Sequence, residues 1–398
     1  MIEEKINQST TNHGLSITLL IIGLVASISG MLSGLLLIDI GETFNVNIGY
    51  AGQINTFSSI VSIFFALLTS VFSVKYNHKS LLQIGLLVYI VSAAGCYLAP
   101  SFGAMMASYS LTGIGFALTT TMALTLPAEH YPIDKRSTAI GMVFAGMSVS
   151  YIIGSMVVPF LQGLGGWRAS FLYYMLPCSM LAFILATITI PRGTGSSHGS
   201  IQTNFIEGYK KIFSNRSALF SLVGNLLAMA TWQGILTYNT SFFRDWFRVS
   251  IGEASIFILI GSSLYTVGSM ISGRMVNRLG RKPLAAASIM AASLFFMVFS
   301  YLPNFFFSAA VVCLGWFLLG VRDTSATSLI IEQLPLYTGI MMSLNRAVTQ
   351  VGFSVGSGFG GALLLFLNYQ FMFVGLGLLG ILSAIVFQWL TIDPSMSR

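Results

Sequence analysis

Long apolar runs, each about the length of a membrane span, are separated by short polar stretches along this chain. A helix crosses the hydrocarbon core of a bilayer with about 20 apolar residues, and runs of that length recur from end to end. They lie at roughly 16–38, 49–73, 80–99, 102–126, 137–160, 169–191, 217–241, 252–275, 283–302, 306–331, 339–366 and 369–392. The pattern predicts an all-α polytopic membrane protein with twelve transmembrane helices in two sets of six.

A polar stretch divides the two sets of spans. It begins with the Gly/Ser-rich segment PRGTGSSHGS and continues with FIEGYKKIF. The first part is typical of a flexible linker, and the second predicts a short amphipathic helix on the membrane surface. We therefore predict an N-terminal six-helix bundle over 1–191, a cytoplasmic linker over 192–216 and a C-terminal six-helix bundle over 217–398.

Composition and charge agree with a membrane protein and exclude a soluble one. Hydrophobic residues make up 55% of the chain and charged residues 8%, where soluble domains have about 25%. Because the basic residues are scattered over short loops, the net charge of +7 does not indicate nucleic-acid binding. Fourteen of the 19 Lys and Arg fall on the side of the N-terminus. The positive-inside rule then predicts a protein of the cytoplasmic membrane with both termini in the cytoplasm.

The residues that usually carry enzyme or metal chemistry are few and scattered. The three cysteines lie inside apolar runs, and the four histidines lie in loops or tails. No glycine-rich loop of the phosphate-binding type occurs. The N-terminus lacks the pattern of a cleaved signal peptide, so we expect the first span to be retained. We predict no metal site, no cofactor and no enzymatic activity.

Three charged residues interrupt the apolar runs of the second half. Arg322 and Asp323 lie deep in the tenth run, and Arg346 lies early in the eleventh. A charge inside the membrane costs roughly 2.5 to 3.5 kcal/mol on insertion scales and usually has a function. Adjacent residues on a helix point about 100° apart. We therefore expect that Arg322 and Asp323 do not both face a central cavity.

Two interpretations of these charges remain open. In the first, Asp323 pairs with Arg346 on the next helix, and the pair is purely structural. In the second, Arg322 or Arg346 binds an anionic substrate through its planar guanidinium group, and Asp323 exchanges as its partner or carries a proton.

The two halves also repeat each other in sequence. GRMVNRLGRKP follows the second span of the second half, and SVFSVKYNHKS occupies the same place in the first half. Asn77 stands where Gly280 stands, so we expect a turn with positive φ at both positions. LPAEHYP and SLIIEQLP lie at the ends of the fourth spans of the two halves. They are separated by the same number of residues as the two loop segments. Parallel repeats of six helices are typical of transporters.

At these residues the chain resembles the major facilitator superfamily, and most of all its bacterial drug and sugar efflux branch. The family's loop motif G-x-x-x-D-R-x-G-R-K is matched by Gly273, Arg278, Gly280, Arg281 and Lys282, with Asn277 in place of the acid. The resemblance implies the major facilitator fold and a gating role for this loop. The antiporter motif of the fifth span is incomplete, because Gly141 and Gly154 are present but other expected glycine or proline positions are not.

The resemblance also implies that the first, fourth, seventh and tenth helices line a substrate cavity. Polar candidates in the seventh span are Asn225, Gln233 and Asn239, with Trp232 beside them, and Tyr109 in the fourth span stands where the family has an arginine. Asn225, Trp232 and Asn239 recur every seven residues and so share one helix face. Such a polar stripe binds substrate or forms hydrogen bonds between helices, and both roles stay open.

These features predict a secondary active transporter of a small organic solute that works by alternating access, with efflux preferred on the resemblance. The alternative is uptake or exchange of an organic anion through Arg322 and Arg346. A membrane receptor is a remote alternative, since it would need an extramembrane domain that the sequence does not provide. The expected partners are the small solute and the lipid bilayer, with no nucleic acid. We expect a monomer coupled to a proton gradient.

Overall fold

The computed structural model describes residues 2–131, 133–191 and 205–393, and all regular structure within them is helical. The Gly/Ser-rich part of the predicted linker, residues 192–204, lies outside the described residues. The α-helices before it are α1 Ile2–Phe44, α2 Ile48–Ala51, α3 Gln53–Lys75, α4 His78–Leu98, α5 Phe102–His130, α6 Ile133–Ser170 and α7 Leu176–Thr189. Those after it are α8 Phe205–Ser214, α9 Arg216–Trp246, α10 Ile251–Leu279, α11 Arg281–Val298, α12 Phe305–Ile331, α13 Thr338–Phe366 and α14 Tyr369–Ile385.

The membrane spans agree with the apolar runs of the sequence. Eleven stretches in the described part of the chain are long and apolar enough to cross a membrane. One of them, Thr138–Thr189, has 52 residues and contains two of the predicted runs. Its backbone leaves the helical conformation at Gly165 and Gly166, and Gly166 has φ 68°, a value that suits glycine. The predicted all-helical fold is confirmed, and the break at Gly166 separates the fifth and sixth predicted spans.

The chain divides into two compact units. The first consists of Met1–Val46 and Phe57–Gly199. In this unit the backbones of α1 and α6 approach closely, since a Cβ atom added at Gly146 would lie only 1.9 Å from the carbonyl oxygen of Leu20. Small residues allow this kind of backbone contact between membrane helices. A larger side chain at Gly146 would push the two helices apart.

The second unit consists of Asn47–Thr56 and Ser200–Arg398. Glycines again set its closest helix contacts. A Cβ atom at Gly356 on α13 would lie 2.0 Å from the carbonyl oxygen of Ala230 on α9, and one at Gly320 on α12 would lie 2.1 Å from that of Tyr265 on α10. Gly320 lies two residues before Arg322. The glycine contact therefore brings the charged part of α12 against Tyr265.

The short segment Asn47–Thr56 groups with the second unit, although its place in the sequence assigns it to the first bundle. Its polar side chains explain the difference. Thr56 shares a hydrogen bond of 2.9 Å with Ser357, and the amide of Asn55 donates to Thr237 at 3.4 Å. Sequence periodicity carries no information on which helix will satisfy such side chains.

The predicted amphipathic helix is α8, and its apolar face packs on the second unit. Ile212 is fully buried in a cluster with Ala218, Leu222, Ile330, Ile340 and Met341. On the other side, 40% of Tyr209 and 57% of Phe213 is exposed. The hydrogen bond that Lys211 donates to the carboxylate of Glu207, one turn away, raises the pKa of Lys211. One face of α8 thus packs against the protein, and the other face is exposed.

The two repeated loops differ in backbone conformation. Gly280 has φ 80° and connects α10 to α11, as expected for a glycine in this turn. Asn77 has φ −61°, so the expectation of a positive φ was wrong for this residue. Its side chain instead accepts a hydrogen bond from the backbone N–H of Lys79 at 2.9 Å and caps the start of α4.

Candidate functional site

The candidate site is built around Arg322 and Asp323 on α12. Arg322 lies nine residues before the end of the helix at Ile331, which corresponds to about 14 Å along its axis. The residue is fully buried, with 1% of its side chain exposed. A buried guanidinium needs both a counter-charge and hydrogen-bond acceptors. The residues around it supply them.

The counter-charge is its neighbour in sequence. The Nη1 atom of Arg322 donates to Oδ1 of Asp323 at 2.7 Å. The two residues leave the helix in different directions, but the long arginine side chain bends back to reach the carboxylate. The structural pair between Asp323 and Arg346 that the sequence suggested is not formed among the described residues. The side chain of Asp323 is 22% exposed, whereas that of Arg322 is 1% exposed.

Tyr265, which packs in a cluster of aromatic residues, binds the other carboxylate oxygen of Asp323. The hydroxyl of Tyr265 on α10 donates to Oδ2 at 2.7 Å. Trp232 on α9 stacks on the Tyr265 ring, with 5.5 Å between centroids and 20° between planes, and Trp316 packs edge-on against Trp232 at 5.0 Å. The predicted residue Trp232 therefore belongs to the site indirectly, because it positions the tyrosine that binds Asp323.

Asn225 on α9 links the charged pair to α13. Its Oδ1 accepts a hydrogen bond of 2.7 Å from Nη2 of Arg322. Its Nδ2 donates to Oδ1 of Asn345 at 2.7 Å and to the hydroxyl of Thr349 at 3.2 Å. The guanidinium carbon of Arg322 also lies 5.4 Å from the centroid of the Phe387 ring. Of the three guanidinium nitrogen atoms of Arg322, only Nε has no hydrogen-bond partner among the described residues.

Arg346 is the second arginine of this region, and its surroundings differ from those of Arg322. It lies on α13 next to Asn345 and is partly exposed. Within the part of the chain that the structure describes, it forms no ion pair or hydrogen bond. Arg322 and Asp323 together are neutral. The charge of Arg346 therefore has no counter-charge among the residues that the structure describes.

Three predicted site residues lie outside this network. Tyr109 is 1% exposed and donates its hydroxyl to the carbonyl oxygen of Ser29 at 2.7 Å. Gln233 donates to the hydroxyl of Thr237 at 3.3 Å. Asn239 is fully buried and accepts a hydrogen bond from Thr240 at 3.1 Å. All three contact other parts of the protein, and only Asn225 and Trp232 of the seventh-span candidates join the charged pair.

The predicted gating loop connects α10 to α11. Gly273, Asn277 and Arg278 lie exposed at the end of α10, Gly280 forms the turn, and Arg281 and Lys282 begin α11. The guanidinium of Arg281 forms an ion pair with Glu332, which follows α12. This loop is therefore bound to the end of the helix that carries Arg322 and Asp323. Its gating role stays a prediction.

Sequence reasoning missed the residues that complete the network: Tyr265, Asn345, Thr349 and Phe387. Tyr265 and Phe387 are ordinary aromatic residues of apolar spans. Asn345 carried a usable signal, since it is a polar residue inside a span and directly precedes Arg346.

The structure also shows no group of three or more His, Cys, Asp or Glu side chains that could hold a metal ion among its described residues.

Breaking the buried pair should destabilise the protein more than removing both of its charges. Arg322→Gln or Asp323→Asn leaves an unpaired charge inside the membrane, and we expect each to cost about 3 to 5 kcal/mol. The double variant should recover most of the loss. Thermal unfolding of the four proteins in detergent measures this coupling. Additive losses would show that the two side chains do not interact.

The Major Facilitator Superfamily profile matches residues 18–262 and 222–397. A similar protein is the "Uncharacterized MFS-type transporter YceJ" of Bacillus subtilis (strain 168), 25% identical over 331 residues, which cover 81% of this chain and 82% of that protein. Another is "Multidrug resistance protein 2" of the same organism, 24% identical over 316 residues, or 76% of each chain.

Among solved structures, the crystal structure of a D-xylose-proton symporter aligns with a TM-score of 0.79. The alignment covers 96% of this chain and 98% of that one at 14% identity, so it supports the fold alone. The profile match covers both halves of the chain, and the helices agree with the same architecture. The chain belongs to the Major Facilitator Superfamily and is a multi-pass membrane transporter of small solutes.

Proposed function

We propose that this transporter carries a small organic anion together with protons into the cell by alternating access. Arg346 binds the anion, and Asp323 binds the coupling proton. The observation that carries the proposal is the contrast between the two arginines. Arg322 is buried and forms hydrogen bonds to Asp323 and Asn225, whereas Arg346 has no hydrogen-bond or ion-pair partner among the described residues.

An organic anion suits an arginine in this environment. The guanidinium group presents parallel N–H donors that match a carboxylate or a phosphate, and these charge-assisted hydrogen bonds are stronger than neutral ones. Leaving such a charge unpaired inside a membrane protein is unfavourable. An anionic solute would relieve that cost on binding, which a neutral or cationic solute would not.

The exposure of Asp323 supports its role as the proton carrier. Its side chain is 22% exposed, while the arginine paired with it is buried. Protonation removes the negative charge but leaves Arg322 and Arg346 positive, so the region changes from one net positive charge to two. A more positive region binds an anion more tightly. By linkage, the proton and the anion then favour each other's binding, as a symporter requires.

Proton-driven efflux is the second candidate, favoured by the similarity to Multidrug resistance protein 2. The cluster of Trp232, Tyr265 and Trp316 would suit an aromatic solute. In an antiporter the proton and the solute compete, so that solute affinity falls as the pH falls. The sign of the pH effect on affinity therefore separates the two functions.

We further propose a monomeric carrier without enzymatic activity or a bound cofactor. The unequal distribution of Lys and Arg supports a cytoplasmic membrane location with both termini in the cytoplasm.

A thermal-shift screen of the detergent-purified protein tests the proposed function. Matched panels would contain carboxylates such as benzoate and succinate, lipophilic cations, and neutral sugars. A ligand at about 100 times its Kd stabilises a protein by about 2.7 kcal/mol. We expect carboxylates to raise the melting temperature, and more so at lower pH. Stabilisation by lipophilic cations alone would reject the anion proposal and favour efflux.

A further inference from the structure

Asn225 joins the charged pair on α12 to α13, the helix that carries Arg346, by hydrogen bonds on both sides. We infer that Asn225 is a positioning residue that transmits the protonation state of Asp323 to Arg346. The inference rests on the proposed function, since it assigns the path between the proposed proton site and the proposed anion site.

The direction of the hydrogen bonds at Asn225 is fixed by its partners. A guanidinium group has only donors, so Asn225 must present its carbonyl oxygen to Arg322. Its amide NH₂ group must then point to the other side, where it reaches Asn345 and Thr349. Since Asn225 is 4% exposed, water does not readily replace these partners. The position of the Arg322 guanidinium therefore determines the orientation of the Asn225 amide.

Protonation of Asp323 changes the forces on that guanidinium. The ionised carboxylate holds Nη1 of Arg322 at 2.7 Å, and this contact loses its ionic character when the carboxyl group becomes neutral. The other polar contact of the arginine is the bond from Nη2 to Asn225. Arg322 then depends more strongly on Asn225, and a shift of its side chain moves the amide with it.

The far end of this path is next to the proposed anion site. Asn345 directly precedes Arg346, and Thr349 lies one turn further along the same helix. The backbones of α9 and α13 touch at Gly356 and Ala230, so the two helices have little freedom to slide there. A change at Asn225 therefore acts on the segment of α13 around residues 345–349, and through it on the direction of the Arg346 side chain.

The test measures the affinity for the benzoate anion, corrected for the ordinary titration of its own carboxyl group, at about pH 5 and at about pH 8. The variants are Asn225→Leu, which removes every hydrogen bond of the path, and Asn345→Leu, which removes one of its two bonds to α13. Asn239→Leu is the matched control, because Asn239 is also a buried amide on α9 but has no contact with the charged pair. The readout is the ratio of affinities at the two pH values, which a general loss of stability does not change.

We expect the wild-type protein and Asn239→Leu to bind the anion about fivefold or more tightly at low pH, in the range of typical coupling between two sites. Asn225→Leu and Asn345→Leu should still bind, with ratios below the wild-type value because only the direct effect of the charge on Asp323 remains, and Asn225→Leu should have the smaller ratio because Asn345→Leu leaves the bond to Thr349. A wild-type ratio in both of these variants would overturn the role of Asn225 and leave the proposed function intact. A ratio of one in the wild-type protein would overturn the proposed proton coupling itself, and the inference with it.

Discussion

Asp323→Asn should abolish proton-driven accumulation of the anion in proteoliposomes while leaving anion exchange in place. Asparagine cannot release a proton, so a pH gradient no longer supplies energy to the solute. The exchange of labelled for unlabelled anion needs only binding and the change of access, and neither step requires net proton movement. The internal anion concentration should therefore approach that outside and not exceed it.

Asparagine at 323 also leaves Arg322 without its counter-charge, so the folded fraction must be measured in the same preparation. The double variant Arg322→Gln/Asp323→Asn provides the control, because it removes the proton site without leaving a buried charge unpaired. It should show the same loss of accumulation with better stability. Normal pH-driven accumulation in either variant would eliminate Asp323 as the proton carrier.

Arg346→Gln should reduce the affinity for the anion by about tenfold to more than a hundredfold. Hydrogen bonds to charged groups contribute about 1.5 to 3 kcal/mol each, and about 1.4 kcal/mol corresponds to a factor of ten. Arg346→Lys should have an intermediate affinity, because the ammonium group retains the charge but not the planar pair of donors. Initial rates of anion uptake at several concentrations measure the effect.

The stability of Arg346→Gln should be close to that of the wild-type protein, since Arg346 has no partner to lose among the described residues. Arg248→Gln is a suitable control. Arg248 lies at the other end of the spans, and 85% of its side chain is exposed. Its removal should change neither affinity nor stability. Equal transport by Arg346→Gln and the wild-type protein would show that Arg346 does not bind the anion and that its side chain only extends toward the membrane surface.

The sequence predicts the fold well because membrane spans depend on a simple physical requirement. Every span needs a long apolar run, and the bilayer leaves few other structures possible. The grouping of Asn47–Thr56 with the second unit could not be predicted in the same way. It depends on hydrogen bonds of Asn55 and Thr56, and a sequence pattern does not show which of several possible partners such side chains will meet.

The candidate site was only partly predictable for a related reason. The rarity of charges in apolar runs identified Arg322, Asp323 and Arg346, but their pairing depends on side-chain conformation. Helix geometry alone separates adjacent residues by about 100°, and the flexible side chain of Arg322 overcomes that separation. Tyr265 could not be recognised at all, since nothing distinguishes it from other tyrosines until Gly320 brings α12 against it.

Anion binding to two variants that each remove one of the arginines tests the role of Arg346 most directly. Arg346→Gln removes the proposed anion site, and Arg322→Gln/Asp323→Asn neutralises the buried pair without changing the net charge. In a thermal-shift titration with the stabilising carboxylate, we predict that the shift is lost in Arg346→Gln and retained in the double variant. A shift retained in Arg346→Gln and lost in the double variant would contradict an anion site at Arg346, because the anion would then bind at the buried pair.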